Sequence, residues 1–167
     1  IDDLLAAGAV QSESLGMICP DADIILLCVT GAPEVETVLF SDQGVFANAR
    51  KGQIVLDCST SIPEKSRAFA KRLTKKQIRY IDAAMTRTPK EAEQGKLNLI
   101  LGGYEGDIKE VMDLLGCFAD KITLAGPVGS GHCLKLIHNY VSLGFAAILS
   151  EAAAAARSEA INTDILI

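Results

Sequence analysis

Four polar side chains stand at helical spacing towards the end of the sequence: Lys135, His138, Asn139 and Ser142. At 100° per residue, positions i, i+3, i+4 and i+7 fall within about 100° of one another, so one helix face carries all four. A lysine can give up and take back a proton when burial brings its pKa down from about 10.4 towards neutrality. Asn139, one turn along, can hold a substrate or the lysine without adding charge. His138 reads equally well as a substrate ligand or as a packed residue. The bland reading of the spacing is a solvated stripe on an amphipathic helix. Such a stripe normally carries several charges, whereas Lys135 is the lone charge until Glu151. The preceding segment, Gly126-Pro-Val-Gly-Ser-Gly131, lets backbone approach closely. It is no P-loop, because His132 follows Gly131 where that motif requires lysine.

These residues need a scaffold, and the pattern alternates. Residues 24–29 form a continuous apolar run, expected for a strand buried on both faces. Further strands are expected at 54–57, 78–83, 97–101 and 121–124. Helices are expected at 33–40, after Ser61, at 105–115 and from 131 to about 160. The second carries start signals, with Ser61 as N-cap, Pro63 early and Glu64 three residues after the cap. The last would span on the order of 45 Å, a length that usually connects two packed bodies. Alternation of this kind predicts an α/β fold with a mostly parallel sheet and flanking helices. Ligands of such sheets sit beyond the carboxyl ends of the strands. The segments expected there are 29–31, 59–60 and 84–88, all rich in small and polar residues, although turn chemistry alone also selects such residues.

Composition narrows the classes. Of 167 residues, 49% are hydrophobic and 22% charged, which excludes disordered and collagen-like chains. A formal net charge of −5 gives no basic face for nucleic acid. The longest wholly apolar run, 24–29, is too short to cross a bilayer, and no signal peptide is visible, so a soluble protein is expected. Five cysteines without a C-x-x-C pair predict neither zinc nor a disulfide framework, and point to a reducing, cytoplasmic compartment. Cys28 and Cys58 are expected as small buried hydrophobes.

Four motifs in order, Asp57-Cys-Ser-Thr60, Asp82-Ala-Ala-Met-Thr-Arg-Thr88, the glycines 95 and 102–103, and Gly129-Ser-Gly-x-x-x-Lys135-x-x-x-Asn139, resemble the β-hydroxyacid dehydrogenase family. That family includes 3-hydroxyisobutyrate dehydrogenase and is related to 6-phosphogluconate dehydrogenase. The resemblance covers essentially the whole sequence. It implies an incomplete Rossmann-type sheet over 1–128 and a long interdomain helix over 129–167, leading to an all-helical domain. It implies NAD or NADP as cofactor, and hydride transfer to or from a small anionic hydroxyacid or semialdehyde. Implied cofactor contacts are Val29, Thr30 and Thr60, with Thr30 standing where the family usually has proline. Lys135 matches the catalytic lysine and Asn139 the second asparagine of a pair, of which His138 replaces the first.

The family's substrate loop commonly reads Asp-Ala-Pro-Val-Ser-Gly-Gly. Here Thr86, Arg87 and Thr88 replace its last three residues, which resembles the sulfolactaldehyde reductase branch, where Ser142 also matches a substrate contact. Arg87 reads either as a surface arginine or as a fork for a carboxylate or other oxyanion. The G-x-G-x-x-G fingerprint and the acidic residue that discriminates NAD from NADP are not found, so the sequence looks truncated at both ends. The resemblance implies a homo-oligomer at full length, with no nucleic-acid or membrane partner. The competing expectation is an inactive remnant that keeps the fold as a binding or assembly module. Exposed Leu and Ile on the long helix would then need a covering partner.

Overall fold

A computed structural model describes residues 1–165. The chain divides into two compact units, Ile1–Cys133 and the stretch from Leu134 onward. The first is built on a five-stranded sheet in the order β1 (Ile24–Leu27), β2 (Ile54–Asp57), β3 (Arg79–Thr86), β4 (Leu97–Gly102) and β5 (Ala119–Gly126). β1, β2 and β3 are mutually parallel; β4 pairs antiparallel with β3, and β5 parallel with β4. The fold is α/β with a mostly parallel sheet, as the alternation predicts.

The reversal at β4 follows from the length of its connection. Residues 87–96 contain only a one-turn helix, α1 (Pro89–Glu93), and ten residues fall short of a parallel crossover. β3 therefore continues in a hairpin-like arrangement, with Asp82 opposite Gly102 and Thr86 opposite Asn98. One expectation is corrected here: residues 84–86 lie within the strand and only Arg87 and Thr88 lie past it.

Strand alternation feeds two apolar layers. Val55 of β2 and Tyr80 of β3 pack with Phe69 and Leu73 of α2 (Pro63–Leu73) and with Val35 and Leu39 of α3 (Ala32–Phe40). Ile54, Leu56, Ile81, Ala83, Leu99 and Leu101 face the other way, onto Ile108, Val111 and Leu115 of α4 (Glu105–Gly116). Both faces are thus covered over β2 and β3, whereas the edge strand β5 is largely exposed. Three local expectations are corrected. Helix α2 starts at Pro63 with Ile62 as its cap, while Ser61 Oγ is buried without a hydrogen-bond partner. Cys58 is buried but Cys28 is exposed, because its side chain lies at the end of β1 beyond the core. Short helices at Asp2–Ala6, Leu15–Ile18 and Val45–Asn48 have no signal in the periodicity.

Helix α5 (Ser130–Ser158) is the long helix, and its first turn belongs to the first unit. Beyond it, Tyr140, Val141, Leu143, Phe145 and Ile148 are exposed. Mean hydropathy reaches 1.3 over 18 residues, so by length and composition alone this helix could cross a membrane. A search for unbroken apolar runs misses this, because Lys135, His138 and Asn139 interrupt the sequence. An apolar helix with one polar face equally suits the interior of a helical assembly. Truncating Leu99, fully buried on the reversed strand β4, to alanine is expected to lower stability by about 2–5 kcal/mol in chemical denaturation.

Candidate active site

The buried carboxylate of Asp82 organises the end of the sheet that carries the expected cofactor contacts. It is fully buried and accepts two backbone N–H groups, from Gly129 to Oδ1 at 2.6 Å and from His132 to Oδ2 at 2.9 Å. Both donors belong to the turn that opens α5, where free N–H groups and the helix dipole favour negative charge. Burial nevertheless pushes the Asp82 carboxyl up, against the pull of those two donors. Close approach dictates the neighbouring residue types. A Cβ on Gly102, directly opposite in the register, would stand 2.5 Å from Asp82 Oδ1. One on Gly131 would stand 2.8 Å from Oδ2 and meet the Ile100 carbonyl oxygen.

His132, 1% exposed, extends the network. Its Nε2 lies 3.0 Å from the Ser59 carbonyl and its Nδ1 2.7 Å from Ser66 Oγ. A carbonyl can only accept, so Nε2 carries the proton, and Nδ1 faces the Ser66 hydroxyl, which also reaches the Ile62 carbonyl at 3.3 Å. Ser59 Oγ in turn accepts the Val29 N–H at 3.0 Å, and the Ser59 N–H donates to Asp57 Oδ1 at 3.0 Å. Tyr80 donates to Asp57 Oδ2 at 2.6 Å, and burial next to that carboxylate raises the phenol's pKa well above its ordinary value. The network thus brings together the ends of β1 and β2, where Val29, Thr30 and Thr60 lie. Val29 and Thr30 line an open cleft of about 620 Å³ that runs onto Pro33 and Glu34 at the start of α3. A larger cleft of about 970 Å³ opens beside α4 and β5 and includes none of the expected site residues.

The other expected residues lie elsewhere. Thr86 ends β3. Arg87 follows with φ +81°, a left-handed conformation where the resembling family has glycine. Its Nη1 donates to the Lys96 carbonyl at 2.7 Å and pairs with Asp120 at 3.2 Å. Thr88 caps α1 through a capping box with Glu91. Lys135, His138, Asn139 and Ser142 all lie on α5, at the predicted spacing. Lys135 is half-buried and desolvation holds its ammonium pKa below the ordinary lysine value. Asn139 is half-buried, while His138 and Ser142 are exposed. Asp57 opens the Asp-Cys-Ser-Thr motif without a role being assigned to it, and Ser66 and Tyr80 belong to no motif. His132 enters the sequence only as the residue after Gly131, and nothing beside it points to Ser59 or Ser66 as partners.

The family model described as the NAD binding domain of 6-phosphogluconate dehydrogenase matches residues 1–126. The chain belongs to this family. Relatives with curated names include 2-hydroxy-3-oxopropionate reductase of Escherichia coli (strain K12), 31% identical over 140 residues, which cover 84% of this chain and 48% of that protein. Mitochondrial 3-hydroxyisobutyrate dehydrogenase of Rattus norvegicus is 28% identical over 133 residues, covering 80% and 40%. Among solved structures, Mycobacterium tuberculosis 3-hydroxyisobutyrate dehydrogenase with L-serine superposes with a TM-score of 0.88 at 23% identity, over 96% of this chain and 54% of that one. An imine reductase variant from Myxococcus stipitatus in complex with NAD+ gives 0.90 at 20%, over 99% and 58%. At such identities these structures establish the Rossmann-like fold. The chain spans about half the length of the curated relatives it matches. The matched segment is the family's NAD-binding domain, so the cofactor class is a nicotinamide dinucleotide. The strand-end cleft and the buried, unpartnered Ser61 hydroxyl in the adjoining loop fit that group.

Asp82→Ala leaves two buried N–H groups without an acceptor and is expected to cost about 2–5 kcal/mol in denaturant unfolding. Asp82→Asn keeps one acceptor and is expected to cost about half as much. Because the native carboxyl pKa is raised, its contribution to stability is largest at acid pH and is lost as pH rises through that pKa. The deficit of Asp82→Asn relative to the native protein should therefore widen as the measurement moves from pH 8 towards pH 4.

Proposed function

We propose that this chain is the cofactor- and lysine-bearing part of an NAD(P)-dependent oxidoreductase. Its substrate would be a small anionic hydroxyacid or semialdehyde of the 3-hydroxyisobutyrate, tartronate semialdehyde or sulfolactaldehyde type. The observation that carries the reading is Lys135: half-buried, its pKa lowered by desolvation, one turn from Asn139 on the helix that follows the Asp82-anchored turn. On this reading residues 1–128 form a partial dinucleotide domain and 129–167 a helix that connects it to a further helical body. Homo-oligomerisation would cover that helix's exposed apolar side chains. The five thiols, none in a disulfide among the described residues, suit a reducing cytoplasm.

Val29, Thr30 and Thr60 would line the dinucleotide. When bound, that group supplies the hydride for reduction and accepts it in oxidation. The Lys135 ammonium then gives a proton to the carbonyl oxygen as reduction proceeds, and the neutral amine takes the hydroxyl proton in oxidation. Asn139 holds the reacting oxygen or the lysine amine without competing charge. His138 and Ser142, on the same face, bind the polar end of the substrate. Arg87, flanked by Thr86 and Thr88, offers its remaining guanidinium donors to the anionic group.

Lys135→Ala is expected to abolish turnover in both directions while NADH binding, followed by fluorescence, stays within about threefold. Near-native kcat in this variant would refute the lysine assignment. In the native protein, oxidation should rise with pH and reduction fall with pH through one shared inflection, placed below about 10.4 by desolvation of the lysine. Arg87→Gly replaces a residue at φ +81° by the one that tolerates it. It forfeits a half-exposed ion pair that contributes little. Stability should stay within about 1 kcal/mol. KM for the acid substrate should rise about 10- to 100-fold, and less for an uncharged aldehyde.

A further inference from the structure

We propose that His132 is a positioning residue: its buried imidazole clamps the cofactor-facing loop of Ser59 and Thr60 to the turn of residues 129–133 within the first unit, so that this loop holds one fixed position there. The inference rests on the reading above for the roles of Thr60 and Lys135. It stands on geometry within the first unit. The backbone N–H of His132 is fixed by Asp82 Oδ2 at 2.9 Å, and its ring spans from Ser66 Oγ of α2 at 2.7 Å to the Ser59 carbonyl at 3.0 Å. Ser59 passes the constraint on by accepting the Val29 N–H, which ties the end of β1 into the same unit. The ring therefore ties α2 and the loop after β2 to its own turn, and through Ser59 it reaches the end of β1.

Two features distinguish a clamp from ordinary packing. Both ring nitrogens are used, each by a partner on a different element, so the ring has one orientation and one tautomer. The loop it holds is also the one that carries Thr60, the expected cofactor contact, so slack in it would misplace a bound cofactor's reacting end. Displacements of about 1 Å in such geometry cost about 100-fold in rate. His132 touches neither reacting atoms nor the expected cofactor, and acts only through Ser59 and the helix turn.

The test compares His132→Ala with His132→Gln, whose amide can donate to the Ser59 carbonyl and accept from Ser66. Hydrogen exchange followed by mass spectrometry on the intact protein reads the clamp without any substrate. In His132→Ala, residues 28–31, 58–61 and 128–134 should lose protection together, while 97–102 keep theirs, and His132→Gln should restore the native pattern. Under conditions where each variant is folded, kcat should fall about 10- to 100-fold in His132→Ala and recover to within about threefold in His132→Gln. The deuteride isotope effect on kcat should rise in His132→Ala, a change that simple loss of folded protein cannot produce. Unchanged protection at 58–61 in His132→Ala, or a uniform loss across all segments, overturns the inference. So does a kcat loss that only tracks the unfolded fraction. Coupled loosening supports the clamp even if the native protein turns over no semialdehyde, an outcome that would defeat the proposed activity alone.

Discussion

Burying a carboxylate is unfavourable unless donors surround it, and Asp82 draws its donors from the turn that opens the long helix. This single requirement shapes much of the first unit. Gly102 and Gly131 have no side chain because one would occupy the space of the carboxylate. The reversed strand β4 supplies Gly102 opposite Asp82, so the antiparallel pairing is part of the same arrangement. The Gly129 and His132 N–H groups would otherwise be orphans of the helix terminus, buried without water. Sheet, hairpin and helix thus meet at one buried carboxyl group whose hydrogen-bond partners are all main chain.

Ser66, His132 and Asp82 form a sequence of groups that resembles a hydrolase triad in type, and the geometry shows why it does not work as one. The imidazole faces the serine through Nδ1 and gives Nε2 to a main-chain carbonyl, while Asp82 Oδ2 stands 3.9 Å from Nδ1 rather than in hydrogen-bond contact. Ser66 and His132 are buried, so the hydroxyl meets no substrate. The same residue types that would activate a nucleophile in a cleft here satisfy one another in a core. On the proposed reading, proton chemistry belongs to the next turn of the helix, where Lys135 is half-buried.

Periodicity made the five strands and the long helix legible, because unbroken apolar runs and three-or-four spacing record directly which faces are covered. Pairing direction was not visible in it. The reversal at β4 depends on a connection of ten residues, and an expected strand end at 83 rather than 86 hid how short that connection is. Cys28 read as buried because its neighbours in sequence are apolar, yet it lies where β1 leaves the core. On α5 the shared face of Lys135, His138, Asn139 and Ser142 follows from spacing alone. Asp82 and His132 carry no separate signal: Asp82 bonds to main-chain N–H groups, which leave no complementary residue type in the sequence, and the side-chain partner of His132, Ser66, stands far away in the sequence.

The β3–β4 connection reveals a different balance. A left-handed backbone at Arg87 is strained for any residue with a Cβ, and it persists only because its surroundings fix it on both sides. The Lys96 carbonyl and Asp120 hold the guanidinium, and the capping box at Thr88 and Glu91 holds the next residue. A flexible arginine would pay the full loss of side-chain entropy on meeting an anion, whereas this one is already partly ordered and partly desolvated. On the proposed reading, Asp120 balances the charge until a substrate anion competes for it. Glycine at the same position would remove the strain and the fork together. The replacement of both glycines of the resembling motif by Arg87 and Thr88 therefore makes physical sense as one exchange, in which backbone ease is given up for a preorganised cation at the strand end.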